Sequence, residues 1–447
     1  MKKTILLYTI ALLLITNTTY AYTCTNDYPL IIGTPVKTLS TPPDAPVQMT
    51  TTKVFHGRKR AELQSGVTYT PSLASPKSCI FSVDGEKVYV NALEGYQTLV
   101  FSSKALKKIS TIKHTFTPSE KHLFSHDAPA HDAFHGTIPS SGPNTFKGKP
   151  VELAVSHNGK YLWIPYYRRD YDTKSQCPAA MALVDTATDS IIKVFHTGPV
   201  AKNVTASPDN KYVAVTNWGD NTVMIFNTSG NDPDKFHLAG IAASGKQLDV
   251  SNFEEDVDRD KDSGHCLRGV VFSPDSKYLL AGRMCGGGVS LFRITPTGMP
   301  EYINTLHGMR PTPRDLKISP DGKDLYISSN YSGYVSRINL QKFISAALTK
   351  KQDAWLTFKD FVDVNVGGKV RTLELTEDGK YAFGALNSTS ELVCIQTKDM
   401  KVVSRLPIDS YPVGLAISPD NSKLWVTSQG RCGQGGHVVT VVNVDYR

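Results

Sequence analysis

Short runs in which apolar and polar residues alternate recur along most of the chain, each broken by a compact polar turn. Val204-Thr205-Ala206 leads into Ser207-Pro208-Asp209-Asn210, and Tyr212-Val213-Ala214-Val215-Thr216-Asn217 returns from it. A third run, Thr222-Val223-Met224-Ile225-Phe226, follows at once. Period-two alternation rich in β-branched and aromatic residues predicts strands. Pro at the second turn position presets φ, and Asp followed by Gly, Asn or Ser suits a tight corner between antiparallel strands. The same turn recurs around Asp84, Asn158, Asp209, Asp275, Asp321, Asp378 and Asp420. A fourth run follows in some copies, as in Ser190-Ile191-Ile192-Lys193-Val194-Phe195. Seven in-phase units of four antiparallel strands predict an all-β, seven-bladed β-propeller rather than a sandwich.

The turn residues are separated by 74, 51, 66, 46, 57 and 42 positions. A blade takes roughly 40 to 45 residues, so two intervals carry insertions, at about 115–149 and 229–264. The last copy ends after three strands in His437-Val438-Val439-Thr440-Val441-Val442-Asn443. A strand from the segment 22–66 is expected to complete that blade, closing the ring and hiding a sheet edge.

Tyr212-Val213-Ala214-Val215-Thr216-Asn217 with Asn221-Thr222-Val223 resembles the repeat core of the YVTN family of seven-bladed propellers. Asp324-Leu325-Tyr326-Ile327-Ser328-Ser329-Asn330 and Lys423-Leu424-Trp425-Val426-Thr427-Ser428 are weaker copies. The resemblance runs from about Cys79 onward and implies the fold, within the superfamily that includes quinoprotein amine dehydrogenases. It implies little about function, because such folds carry many unrelated activities.

The start of the chain changes the picture of where this domain works. Met1-Lys2-Lys3, an apolar stretch of 11 residues from Ile5 to Ile15 and a small-residue site at Ala21 have the pattern of a secretory signal peptide. That stretch is shorter than the roughly 20 residues a membrane span needs. The expected organisation is a signal over 1–21 and one propeller over 22–447, in a periplasmic or secreted protein. Export permits disulfides among Cys24, Cys79, Cys177, Cys266, Cys285, Cys394 and Cys432. Cys266 and Cys285 lie nine residues before and ten after Asp275, flanking one hairpin, and are expected to pair. A competing reading groups His265, Cys266, Met284 and Cys285 as a metal or haem pocket. Cys394, inside the apolar alternation Leu392-Val393-Cys394-Ile395, is the expected buried thiol. Cys177 and Cys432 can pair only if their loops bend together.

Composition adds limits. With 40% hydrophobic residues, 20 Tyr and 26 Pro, the chain is neither disordered nor collagenous nor largely helical. The net charge is +8 and falls to +6 once Lys2 and Lys3 leave with the signal. No aromatic-basic stripe accompanies this charge, which argues against nucleic acid as a partner. Five residues before each turn Ser or Thr stand Lys77, Val151, Lys202, Arg268, Arg314, Arg371 and Val413. This position opens the innermost strand, so its side chains are expected to circle one mouth of the channel. Five cations there would focus positive potential on an anionic ligand or protein tail. The alternative is that they brace adjacent blades by bonding backbone carbonyls.

Two insertions hold further candidates. His126, His131 and His135, with Asp127 and Asp132, offer imidazole and carboxylate of the kind that bind zinc or copper. Asp258, Asp260 and Asp262 resemble an Asp-rich calcium loop, although no Glu stands at the expected twelfth position. Both stretches also read as solvated loops. G-x-S-x-G, H-E-x-x-H and phosphate-cradling glycine motifs are absent from the sequence. The expectation is therefore a monomeric, non-catalytic binding protein for a protein partner or anionic small molecule. The alternative is a periplasmic enzyme or cofactor carrier of the haem d1, quinone or lactonase type.

Overall fold

The computed structural model describes residues 39–58, 66–124, 144–248, 257–349, 356–430 and 436–447. Their strands form seven sheets, each with four antiparallel strands at its centre, and a short parallel strand extends two of them. The third blade shows the unit: Ala201–Ala206, Tyr212–Asn217, Thr222–Asn227 and His237–Ala243 pair in that order. His237–Ala243 lies within the stretch read from spacing as an insertion, so the inserted segment of that interval begins at about residue 244. The seventh blade combines Pro412–Ile417, Lys423–Ser428 and Val438–Tyr446 with Val47–His56, which runs antiparallel to Val438–Tyr446.

The repeated turn is held by one chemical device. In six blades the turn Ser or Thr hydroxyl bonds the Asp carboxylate two positions on, as Ser207 does to Asp209 at 2.6 Å and Thr376 to Asp378 at 2.7 Å. The same hydroxyl accepts the backbone N–H five positions on, as from Tyr212 and Tyr381. The residue after the Asp adopts positive φ, for example 74° at Gly322 and 58° at Asn210, which explains the Gly and Asn there.

Apolar residues alternate inward along these strands and pack between blades. Trp163, Phe195, Phe226 and Phe236 form one inter-blade cluster, and Trp425, Phe55, Phe81 and Phe101 form another. Spacing alone did not reveal the helix Leu340–Leu348, inserted between two strands of the fifth blade. Asn339 caps it by accepting the Lys342 N–H, and its Leu340, Phe343, Ile344 and Ala347 are buried. No helix among the described residues is long and apolar enough to cross a membrane.

Candidate functional site: the channel mouth

In a regular strand, successive side chains point to opposite faces. The innermost strands break that rule where they begin. In the first, third, fourth and sixth blades two successive residues face one on the neighbouring strand, a β-bulge. Lys77 and Ser78 share the position opposite Asn91, and Arg371 and Thr372 that opposite Ala385. A related register shift occurs in the fifth and seventh blades. The bulge turns adjacent residues toward the axis together.

The channel they line has a volume of about 330 Å³, within the range of small-molecule sites. Arg268, Arg314 and Arg371 line it, and with Lys77 they sit close enough to perturb one another electrostatically. Four of the five aligned cations therefore share one mouth. Arg268 is satisfied, because its Nη2 donates to the Glu152 carboxylate. The others are poorly matched. Arg314 Nη1 reaches the Met284 thioether at 3.3 Å, a weak acceptor. Arg371 Nη1 donates to the Tyr411 hydroxyl at 3.2 Å, while its buried Nε has no partner among the described residues. The ammonium of buried Lys77 takes none there either. Burial first, then Arg371, Arg268 and Arg314, lower the Lys77 pKa well below the usual lysine value, with Glu152 opposing.

Bracing between blades uses the backbone of these residues instead of their side chains. Thr216, Thr427 and Ser328 donate hydroxyl hydrogen bonds to the carbonyls of Arg268, Lys77 and Arg371 in the next blade. None of the three guanidinium groups donates to a backbone carbonyl among the described residues.

Lys202 also feels Arg268 and Arg314 but, unlike Lys77, is matched by an acid. Its ammonium pairs with Asp260 at 3.0 Å and lies over the rings of Tyr167, at 4.1 Å, and Trp218, at 4.9 Å. Burial lowers its pKa to about 8 despite Asp260. Trp218 Nε1 also donates to the Asp260 carbonyl, so this loop is fastened to the mouth. Asp258 pairs with exposed Lys261 at 2.8 Å. Asp258, Asp260 and Asp262 thus do not gather as a calcium set. Among the described residues no three His, Cys, Asp or Glu side chains are grouped to hold a metal. His126, His131 and His135 lie outside the described residues.

Cys266 and Cys285 form a disulfide with their Cα atoms 5.2 Å apart. The disulfide takes both thiols of the competing pocket, Met284 meets Arg314, and His265 Nδ1 bonds the Ser244 carbonyl at 2.8 Å. Cys394 is a buried free thiol.

A second charged layer follows below the ring, and the sequence alignment at one position missed it. Glu152 and Asp315 stand four residues before their turns, and Lys317 and Glu374 two before. Lys317 donates to Glu374 at 2.9 Å. Asp315 accepts the N–H groups of Leu316 and Leu373 at 3.1 and 2.9 Å. Glu152 and Asp315 stand at the next aligned position, where Ser78, Asn203 and Thr372 are also polar, whereas Lys317 and Glu374 lie two positions further along.

Fold and channel define a seven-bladed β-propeller with a cation-rimmed axial cavity. No family model matches the chain. Antigen Lp49 of Leptospira interrogans is 22% identical over 185 residues, which is 36% of this chain and 40% of that protein's length. Among solved structures, Kuenenia stuttgartiensis hydrazine synthase is similar at a TM-score of 0.55 and 14% identity, over 83% of this chain and 96% of that one. The β-propeller domain of Myceliophteria thermophila Cps50 (Swd1) is similar at 0.55 and 11%, over 83% and 97%. At these identities the likeness is one of fold.

Proposed function

We propose that this chain is an exported propeller of the YVTN type that binds an anion, borne by a protein tail or a small molecule, at its channel mouth without catalysing a reaction. The observation that carries the reading is the convergence of Arg268, Arg314 and Arg371 on one cavity with Lys77 beside them, three of the four being short of good acceptors. Buried cations without partners are costly. An arriving carboxylate or phosphate supplies the missing acceptors through charge-assisted hydrogen bonds. The leader-like start, the disulfide and the partial likeness to a bacterial antigen support export.

Titration calorimetry with citrate tests this. Arg314→Ala is expected to weaken binding about tenfold or more, the worth of a charged hydrogen bond, without lowering the melting temperature. A lower melting temperature with unchanged binding would mean that Arg314 braces the ring. The pH dependence has a fixed sign. Lys77 must be protonated to attract an anion, and Arg371, Arg268 and Arg314 face it against the single carboxylate of Glu152. Affinity should fall as pH rises through its lowered pKa, below the ordinary lysine range, and Lys77→Met should flatten that fall. A Soret-like or quinone absorption band in protein purified from its own host would overturn the non-catalytic part of the reading.

A further inference from the structure

The charges lining the channel do not cancel. Arg268, Arg314, Arg371 and Lys317 line it with Glu152, Asp315 and Glu374, and Lys77 lies within electrostatic reach of the same three arginines and Glu152, so five cations meet three carboxylates and two positive charges are left over. The pairing shows where the excess sits. Arg268 is matched by Glu152, and Lys317 by Glu374. Lys77, Arg314 and Arg371 remain against Asp315, whose carboxylate already accepts two backbone N–H groups.

The unmatched donors also come from more than one direction. Arg314 and Arg371 belong to the adjacent fifth and sixth blades and Lys77 to the first, so their hydrogens approach the axis from two sides of the ring. A planar carboxylate offers two oxygens in one plane. A tetrahedral oxyanion offers oxygens in every direction and carries two charges.

We propose that the channel mouth selects a doubly charged tetrahedral oxyanion, sulfate- or phosphate-like, over a single carboxylate. This rests on the anion-binding reading above. The group can be a free ion or the head of a larger molecule, since both present the same oxygens. Lys77 and Arg314 each supply one of the two excess charges, and Arg371 directs its unpartnered Nε–H to the same ion.

The test is titration calorimetry of the full chain with sodium sulfate, O-phosphoserine and sodium acetate at equal ionic strength, at about pH 7, where a phosphomonoester, with a second pKa of about 6, is mostly dianionic. Sulfate is expected to bind about tenfold or more tightly than acetate. The Lys77→Met/Arg314→Gln variant is expected to lose that preference and keep its melting temperature. O-phosphoserine binding more tightly than sulfate assigns the site to phosphorylated molecules; weaker binding assigns it to the free ion. Either upholds the proposal. Equal affinity for sulfate and acetate overturns the dianion preference and leaves the anion site standing. If no anion binds, citrate included, both fall.

Discussion

Trp425→Ala is expected to destabilise the protein by about 4 kcal/mol, as for other large aromatic deletions in packed cores. Trp425 is fully buried where the first and last blades meet. Its ring centroid lies 5.6 Å from Phe55, 5.4 Å from Phe101 and 6.4 Å from Phe81. Phe55 lies in the strand Val47–His56, and Phe81 and Phe101 in the first blade. One side chain therefore ties the two ends of the described chain together, and the cavity left by alanine opens at the ring's seam. Trp425→Phe should cost far less. Its indole Nε1 is buried without an acceptor among the described residues, so losing that donor offsets part of the lost contact. Urea unfolding midpoints of the two variants check this. Equal losses would show that packing at the seam is not what matters.

Arg371→Glu is expected to reduce anion affinity at least about a hundredfold, or about 2.7 kcal/mol. The substitution replaces a donor by an acceptor and puts like charge where the anion must sit. Its effect on folding should be of opposite sense. A carboxylate among Lys77, Arg268 and Arg314 provides the counter-charge these cations lack, so thermal unfolding should occur no earlier than in the wild type. Binding and stability then move apart, which a purely structural arginine cannot produce. Calorimetric titration with sulfate, paired with a thermal scan of the same variant, reads both.

The fold was legible because its turn chemistry is local. A hydroxyl, a carboxylate two positions on and a left-handed residue after it close each hairpin within a few residues, and seven copies reveal the ring. Lys77, Arg268, Arg314 and Arg371 could be found by aligning those turns. Lys202 occupies the same register and feels Arg268 and Arg314, yet it carries a counter-charge that Lys77 lacks. Its partner Asp260 arrives on a long connection from 58 residues away, which no repeat alignment shows. The acidic layer stayed hidden for another reason. Strict alternation assigns Asp315 to the face opposite Arg314, and the register shift that overrides it is a backbone feature. The helix Leu340–Leu348 has buried residues at three- and four-residue spacing, but turn spacing alone does not separate its interval from an ordinary blade with longer loops.

The most direct measurement is a crystal of the full chain grown with selenate, a tetrahedral dianion that can be located by its anomalous scattering. An ion is expected in the channel, within hydrogen-bonding reach of Arg371 Nε, Arg314 and the Lys77 ammonium. A channel without selenate, in crystals that hold it elsewhere on the surface, would contradict the claim that this ring is an anion site.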